Sequence, residues 1–277
     1  MGNNKRAEER VQLATDNLQH RKDLTGMQDQ DKHIQMFDLQ TEGPLISIII
    51  VVYNAGQYLE QTLLSVIQQT YKHIELIIID GGSSDNTIEL LKRYDDKISY
   101  WKSEPDKGIY DAMNKAIDVA TGNWVYFLGA GDILLNVLHQ IVPKMLMPNH
   151  IYYGNVYWNE RGIIYDGHFS AFKLAVNNIC HQAILYPLAA VKRYKFNIKY
   201  RILADHHLNM QCFGDADFKF TYLPNLICIY DGDGFSSRNS VDELFFRDKP
   251  QIIKANFSFI VFGYTYLRRK LAGFLKK

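Results

Sequence analysis

A helix signal and a strand signal lie next to each other in the stretch 104–132, EPDKGIYDAMNKAIDVATGNWVYFLGAGD. Apolar residues recur at helical spacing over 110–120 and predict a helix with one buried face. Gly122 follows, at a position where a left-handed residue ends a helix at little cost. The apolar run 124–128 predicts a short buried strand. The strand leads to a loop that ends at Asp132, on the edge where open α/β sheets bind ligands. The alternative is an ordinary turn with a capping aspartate.

The chain before this stretch alternates in the same way between apolar runs and amphipathic segments. Strands are predicted over 45–53, 74–79 and 98–101, and helices over 59–67 and 87–94. Strands that alternate with helices imply right-handed crossovers. The sequence therefore predicts an α/β fold with a Rossmann-like, mostly parallel central sheet.

Polar residues gather where each predicted strand ends. The four clusters lie at 53–54, 80–85, 106–111 and 129–132. Because the carboxyl ends of parallel strands share one edge of the sheet, we expect the clusters to meet there. Their joint position predicts a nucleotide site more strongly than any one cluster does.

The composition is that of a globular protein with a sizeable core, since 47% of the 277 residues are hydrophobic. The formal net charge of +1 argues against nucleic acid as a partner recognised by bulk charge. The sequence has three cysteines, Cys180, Cys212 and Cys228. Their odd number and wide spacing argue against a disulfide framework and against a metal knuckle. We expect three buried free thiols.

No targeting or membrane-spanning segment is expected from the sequence. The first ten residues are polar, and the apolar core of a leader does not follow them. No run reaches the roughly 18 consecutive apolar residues that a membrane span needs. We therefore expect a cytoplasmic protein.

The segment 257–277 is unusual because it combines aromatic residues with five basic residues and contains no acid. A basic, aromatic amphipathic helix is typical of a segment that lies in an anionic membrane surface. This pattern predicts peripheral attachment to the inner face of the cell membrane. The alternative is a helix that packs on the core and leaves its lysines in solvent.

Four segments, in this order, resemble the motifs of family 2 glycosyltransferases with the GT-A fold. They are SIIIVVYN at 47–54, IDGGSSDNT at 79–87, EPDKGIYDAMNK at 104–115 and GNWVYFLGAGD at 122–132. Each motif is weak alone, but the ordered set is specific, and the resemblance covers residues 45–240. It is greatest to the bacterial subgroup that builds exopolysaccharide, colanic-acid-like or O-antigen repeat units.

The resemblance and the composition together divide the chain into three parts. Residues 1–43 form a polar extension with too few apolar residues to offset the entropy of ordering, so we expect a loose helix or disorder there rather than a docking element. Residues 44–240 form the GT-A domain, with a nucleotide-sugar half at 44–135 and a smaller acceptor half at 136–240. Residues 241–277 form a basic C-terminal tail of amphipathic helices.

The resemblance implies a nucleotide-sugar site at the sheet edge. Asp80 corresponds to the acid that accepts a hydrogen bond from a uracil ring, and a carboxylate suits an imide N–H; a turn aspartate before two glycines is the alternative. Tyr53 and Asn54 would flank the same base. The residues implied to line the ribose and the donor sugar are Asp106, Lys107, Gly108, Asp111 and Asn114.

Asp132 corresponds to the residue that coordinates a divalent cation, Mg²⁺ or Mn²⁺, on the donor diphosphate. Such cations take oxygen ligands and often bind through one or two carboxylates together with phosphates. Many family members carry Asp-x-Asp before this loop, whereas this sequence reads GAGD at 129–132. With one carboxylate left, we expect weak metal binding in the absence of substrate.

The segment ILADHHL in the acceptor half resembles the one that carries the family's catalytic base, and its aspartate, Asp205, is the candidate. A carboxylate there can take the proton of an attacking hydroxyl; a helix cap is the alternative. His181 and Gln182 match a His-Gln pair close to both substrates, although a lone histidine is often structural. Gly234 and Ser236 fall in a glycine-rich segment expected to cover the diphosphate.

The resemblance implies an inverting glycosyltransferase that moves a sugar from a nucleotide-sugar donor, a UDP-sugar, to a glycan or polyprenyl-linked acceptor in cell-surface polysaccharide biosynthesis. A sugar nucleotidyltransferase is an alternative with the same nucleotide edge, but the sequence lacks its basic glycine-rich loop of the type G-x-G-T-R. A scaffold that binds nucleotide without catalysis is the other alternative. The presence of Asp80, Asp132 and Asp205 argues against a scaffold.

Overall fold

The computed structural model describes residues 43–165, 167–232 and 241–274, and side chains up to residue 271. Almost all of the extension 1–43 lies outside this part of the chain, as do Gly234 and Ser236. The nucleotide half contains β1 (Ile46–Val52), α1 (Leu59–Ile67), β2 (Ile74–Asp80), α2 (Thr87–Arg93), β3 (Tyr100–Ser103), α3 (Ile109–Val119), β4 (Trp124–Gly129) and β5 (Ile133–Leu134). The rest contains α4 (Leu138–Ile141), β6 (His150–Trp158), β7 (Ile163–Tyr165), α5 (Ala171–Val176), β8 (Ile184–Pro187), α6 (Leu188–Tyr194), α7 (Ala204–Gly214), β9 (Lys219–Tyr230), α8 (Glu243–Asn256) and α9 (Phe259–Phe274).

Nine strands of the described chain form one sheet, in the order β3-β2-β1-β4-β8-β6-β9-β5, with β7 paired to β6. Strands β1 to β4 are parallel: β1 pairs with β2 and β4, and β2 pairs with β3. The short strand β5 is antiparallel to β9. The acceptor half is mixed, because β8 is antiparallel to β4 and β6 whereas β6 and β9 are parallel. The predicted α/β fold with a mostly parallel central sheet is confirmed.

The core of the nucleotide half forms around β1, which is buried along its whole length. A strand covered on both faces reads as a continuous apolar run, and ISIIIVV is such a run. Helix α3 covers one face with its buried residues, among them Ala112, Met113, Ala116 and Ile117, as the periodicity predicted. Each fully buried isoleucine contributes about 1.5–3 kcal/mol of transfer free energy.

Gly122 follows α3 for a different reason from the one predicted. The helix ends at Ala120 in extended backbone, and Gly122 is not among the residues with positive φ. Its N–H donates to Ser47 Oγ at 2.9 Å. A Cβ there would lie 2.7 Å from the backbone nitrogen of Ser47 and 2.8 Å from the backbone oxygen of Leu45. Glycine is therefore required by close contact with the start of β1, not by a left-handed conformation.

The entry of α7 is fixed by Asp242, which lies just before α8. Asp242 Oδ2 accepts hydrogen bonds from the backbone N–H groups of Ile202 and Leu203, at 2.9 and 3.2 Å. Its Oδ1 accepts from the N–H of Phe245 at 3.2 Å and caps α8. One buried carboxylate thus holds two helix starts together, and it sets the position of the α7 residues that face the sheet edge.

The three cysteines are free, as expected. Cys212 and Cys228 are buried, whereas Cys180 is partly exposed. Burial raises the pKa of the Cys212 thiol to about 12, so this thiol stays protonated and unreactive at neutral pH.

Candidate active site

A cavity of about 490 Å³ opens at the carboxyl ends of β1 and β4, on the edge that the sequence indicated. Its walls come from both halves of the chain, because the starts of α3 and α7 and the end of β9 also reach it. Ten of the predicted site residues line this cavity. They are Tyr53, Asn54, Asp106, Lys107, Gly108, Asp111, Asp132, His181, Gln182 and Asp205.

The rim of the cavity nearest β1 is shaped by Asn54 and Asp106. Asn54 has a positive φ of 49°, and its Oδ1 accepts from the N–H of Ser84 at 2.9 Å, which holds the two loops together. Asp106 Oδ1 accepts from the N–H of Gly108 at 2.7 Å. A Cβ on Gly81 would lie 2.5 Å from Asp106 Oδ2. Glycine at position 81 therefore leaves the space that this carboxylate occupies.

Asp80 does not line the cavity, and the structure gives it a different role from the predicted one. Its side chain is fully buried. Its Oδ2 accepts from the N–H of Gly82 at 3.0 Å, the N–H of Ser83 at 2.9 Å and the hydroxyl of Ser103 at 2.6 Å, while its Oδ1 accepts from the Ser83 hydroxyl. These bonds hold the turn after β2. Asp80 therefore fixes this turn, as the alternative role had it, and its predicted contact with a uracil ring stays a prediction.

Asn114 also acts structurally instead of lining the donor sugar. Its Nδ2 donates to the backbone oxygen of Phe196 and its Oδ1 accepts from the N–H of the same residue, both at 2.8 Å. This pair of bonds ties α3 to the segment between α6 and α7. That segment carries Ile198 and Arg201, which line the cavity. Asn114 thus positions a segment of the cavity wall without lining the cavity itself.

Asp132 lies at the bottom of the site, with 4% of its surface exposed. Its Oδ1 accepts from the N–H of Asp231 at 2.9 Å and its Oδ2 from Gln182 Nε2 at 2.8 Å. Burial raises the pKa of this carboxyl to about 6, although the two hydrogen bonds oppose the shift. The carboxylate therefore joins the β4 loop, the turn at 181–183 and the end of β9.

The donor atoms around Asp132 fit a cation that takes most of its ligands from a substrate. The described residues hold no group of three or more side chains suited to a metal ion. Each oxygen of Asp132 has one protein donor, and a carboxylate offers about four lone pairs. A hard divalent cation binds in this way when phosphate oxygens complete its shell, and its charge would offset the cost of burying an ionised Asp132.

Asp205 lies in the first turn of α7, and 7% of its surface is exposed. Its Oδ2 accepts from Asn178 Nδ2 at 2.8 Å and lies 3.3 Å from His181 Nδ1. Its Oδ1 accepts from its neighbour's backbone N–H, that of His206, at 2.8 Å and lies 3.2 Å from the Tyr110 hydroxyl. The helix cap is Leu203, so the cap role considered for Asp205 is excluded.

The cavity is also lined by residues that were not among the predicted site residues. Tyr58 and Ile198 are exposed at its mouth, at 51% and 44%, and Arg201 is an exposed cation. Among them are Tyr58, Tyr110, Ile198, Arg201, Tyr230 and Asp231. Tyr110 is the first residue of the helix predicted over 110–120, and the sequence carries no periodic signal for Ile198 or Arg201.

Comparison with known proteins agrees with this architecture. The pattern of glycosyl transferase family 2 matches residues 47–213. The chain belongs to this family. It is 31% identical over 227 residues to a PGL/p-HBAD biosynthesis glycosyltransferase of Mycobacterium bovis (strain BCG / Pasteur 1173P2), covering 79% of this chain and 89% of the relative. The same figures hold for a PGL/p-HBAD biosynthesis glycosyltransferase of Mycobacterium tuberculosis (strain ATCC 25177 / H37Ra).

Solved glycosyltransferases share the fold of this family 2 enzyme. The structure of S. aureus TarS 1-349 in complex with UDP-GlcNAc has a TM-score of 0.63 at 17% identity and covers 77% of this chain and 68% of that chain. The mannosyltransferase PcManGT from Pyrobaculum calidifontis, in complex with GDP-Man and Mn2+, has a TM-score of 0.56 at 15% identity and covers 86% and 84%. The expected GT-A fold is confirmed. The exopolysaccharide subgroup stays a prediction, since the Mycobacterium relatives carry a different name.

The raised pKa of Asp132 predicts a specific pH dependence of stability. Its folded pKa is about 6 and its ordinary value is 3.8, so the folded protein holds this proton more tightly than the unfolded chain. Protonated Asp132 therefore stabilises the folded state below pH 4, and this contribution to the free energy of unfolding is lost as the pH rises through 6. Between pH 4 and pH 7, the free energy of unfolding should fall by up to about 3 kcal/mol relative to Asp132→Asn.

Urea denaturation of both proteins across this pH range measures the difference, because all other titrating groups cancel in the comparison. Parallel pH profiles for the two proteins would show that Asp132 ionises in the fold at its ordinary pKa.

Proposed function

We propose that this glycosyltransferase moves a sugar from a UDP-sugar to a hydroxyl of a glycan or polyprenyl-linked acceptor, with inversion at the anomeric carbon, in the synthesis of a cell-surface polysaccharide. The observation that carries the proposal is that Asp205 shares one cavity with the donor-side residues Tyr53, Asp106 and Lys107. The UDP-GlcNAc complex of TarS supports a UDP-sugar donor.

Asp205 is suited to act as the base because it keeps room for one more hydrogen bond. Two firm donors, Asn178 and the backbone N–H of His206, each lie at 2.8 Å. The other two contacts are longer, and the Tyr110 hydroxyl already donates to the backbone oxygen of Ile202 at 2.6 Å. Because a carboxylate offers about four lone pairs, an acceptor hydroxyl can bind Asp205 from the cavity.

The reaction is a single displacement. The acceptor hydroxyl gives its proton to Asp205 as its oxygen forms a bond to the anomeric carbon. The bond from that carbon to the donor diphosphate breaks, and UDP leaves with the electron pair. Lys107 and Arg201 line the same cavity and bring positive charge to it, which stabilises the charge that develops on the leaving diphosphate.

Mg²⁺ or Mn²⁺ is the proposed cofactor, held by Asp132 together with the donor diphosphate. Such an ion acts as a Lewis acid on the leaving group. The Mn2+ complex of the mannosyltransferase PcManGT supports a divalent ion in this fold. In this chain, Gln182 and the backbone of Asp231 orient the carboxylate that would bind the ion.

Peripheral attachment to an anionic membrane is the proposed role of α9. Phe259, Ile260, Leu267 and Leu271 are each more than half exposed, from 58% to 84%. Arg268, Arg269 and Lys270 are exposed on the same helix, and α9 contains no acidic residue. Among the described helices, none is long and apolar enough to cross a bilayer.

Substitution of the base tests the proposed reaction. Asp205→Asn should lower kcat by about 100-fold or more, because an amide cannot take the proton. Affinity for UDP should stay within about twofold, since Asp205 acts on the acceptor side. UDP release from UDP-sugar and acceptor measures turnover, and calorimetry with UDP measures binding. Asp118→Asn, on an exposed residue of α3 paired with Lys195, is the control; wild-type turnover in Asp205→Asn rules out this base.

Metal binding should depend on the nucleotide, because Asp132 supplies few ligand atoms alone. Water-proton relaxation should show Mn²⁺ bound to the protein when UDP is present and no binding to the free protein at about 100 μM Mn²⁺. Asp132→Asn should remove the ternary signal while UDP still binds. Tight Mn²⁺ binding to the free protein, or activity that persists in EDTA, contradicts this assignment.

Membrane attachment predicts that full-length protein sediments with phosphatidylglycerol vesicles. Each cation near an anionic leaflet contributes about 1 kcal/mol, so high salt should weaken binding, and inserted apolar side chains should retain part of it. A variant with Ile260, Leu267 and Leu271 changed to serine should lose the salt-resistant part. Leu146→Ser, at a residue that is 79% exposed elsewhere, is the matched control. Equal sedimentation of the triple variant and the wild type rejects the attachment.

A further inference from the structure

Asp205 is the last member of a chain of hydrogen bonds that runs from the cavity into the core. Asn178 Nδ2 donates to Asp205 Oδ2 at 2.8 Å. Asn209 Nδ2 donates to Asn178 Oδ1 at 2.8 Å. The Tyr186 hydroxyl donates to Asn209 Oδ1 at 2.7 Å. Three polar side chains from three parts of the acceptor half therefore lie end to end behind the base.

This chain is separate from the substrate cavity. Tyr186 on β8 and Asn209 on α7 are fully buried, and neither they nor Asn178 line the cavity. The backbone oxygen of Asn178 accepts from the Tyr165 hydroxyl at 2.7 Å, which anchors the residue further. These side chains do not reach a substrate in the cavity, so any effect on catalysis passes through Asp205.

The chain has a fixed direction. Burial raises the pKa of the Tyr186 hydroxyl well above its usual range. This group therefore stays protonated and acts as a hydrogen-bond donor. Asn209 must then present its oxygen to Tyr186 and its nitrogen to Asn178. Asn178 in turn presents its nitrogen to Asp205. Hydrogen bonds linked in one direction strengthen one another in a low dielectric, so the chain holds Asp205 Oδ2 more firmly than the Asn178 hydrogen bond alone would.

We infer that Tyr186, Asn209 and Asn178 form a positioning relay for the catalytic base, which holds Asp205 Oδ2 and keeps the carboxylate aimed at the acceptor hydroxyl. The relay deepens the proposed function and rests on it. Its members are positioning residues, since none of them contacts the reacting atoms.

Other groups that face Asp205 do not replace this relay. Tyr110 and Cys180 stay protonated, because burial raises the pKa of each. Burial lowers the pKa of His206 to about 3, so its ring stays neutral, and that ring lies 2.7 Å from the backbone oxygen of Leu174 through Nε2. His181 lies at the longer distance of 3.3 Å. The firm side-chain donor to Asp205 is Asn178.

Tyr186→Phe tests the relay at its far end without altering the cavity wall. It removes one hydroxyl and should lower kcat by about two- to tenfold, the effect of one neutral hydrogen bond, with the donor KM within twofold of wild type. Asn209→Asp keeps the shape but places an acceptor opposite Asn178 Oδ1. The Asn178 amide should then turn its oxygen toward Asp205 Oδ2, while Tyr186 still donates to position 209, and kcat should fall by about tenfold or more.

Tyr71→Phe is the matched control, since Tyr71 is an equally buried tyrosine whose hydroxyl donates to the backbone oxygen of Pro44. It should lose stability but keep kcat. Circular dichroism and thermal unfolding establish that each variant is folded before kinetics are measured.

A double variant with Asp205→Asn distinguishes a positioning role of Tyr186 from a merely structural one. In an Asp205→Asn background, adding Tyr186→Phe should leave the residual rate unchanged, because no carboxylate remains to be positioned. Three results would overturn the relay while the proposed function stands. They are an equal fall in kcat in both backgrounds, a raised donor KM in Tyr186→Phe, and an unchanged kcat in Tyr186→Phe. Wild-type turnover in Asp205→Asn alone overturns the proposed base, and the relay with it.

Discussion

Parallel pairing of β1 on both of its edges is the constraint on which the site depends. The register places Val52 opposite Asp80 on β2 and Val51 opposite Gly129 on β4. Three strands therefore end at the same level, and their loops share one edge of the sheet. Because β1 is buried throughout, the register cannot slip without exposing part of an apolar strand. The position of the cavity follows from this packing.

Asp132 connects the two halves of the chain across that edge. Its hydrogen bonds reach Gln182 and the backbone of Asp231, so the nucleotide half and the acceptor half meet at one buried carboxylate. A second buried carboxylate, Asp242, sets the start of α7, where Asp205 lies. Two separate buried carboxylates, each satisfied by protein donors, thus fix the parts of the cavity wall that carry Asp132 and Asp205.

The sequence predicted the strands and α3 well, and it placed ten site residues on the cavity, because these features follow from periodicity and from the rule that strand ends share an edge. It assigned Asp80 and Asn114 to the donor, whereas both side chains are bonded within the protein. Asp80 holds the local turn to Gly82 and Ser83, which was the alternative role. Phe196, the partner of Asn114, lies 82 positions away, and no local pattern encodes that contact. Ile198 and Arg201 were missed because the segment that carries them is irregular, and its position depends on the Asn114 contact.

The close approach of Asp106 to Gly81 means that two distant positions share a single volume. A side chain at position 81 and the carboxylate at position 106 would occupy the same space, since a Cβ there lies 2.5 Å from Asp106 Oδ2. These positions cannot vary independently. Substitution at either position must therefore treat them as one unit, in which enlarging one member is compatible with folding only when the other shrinks.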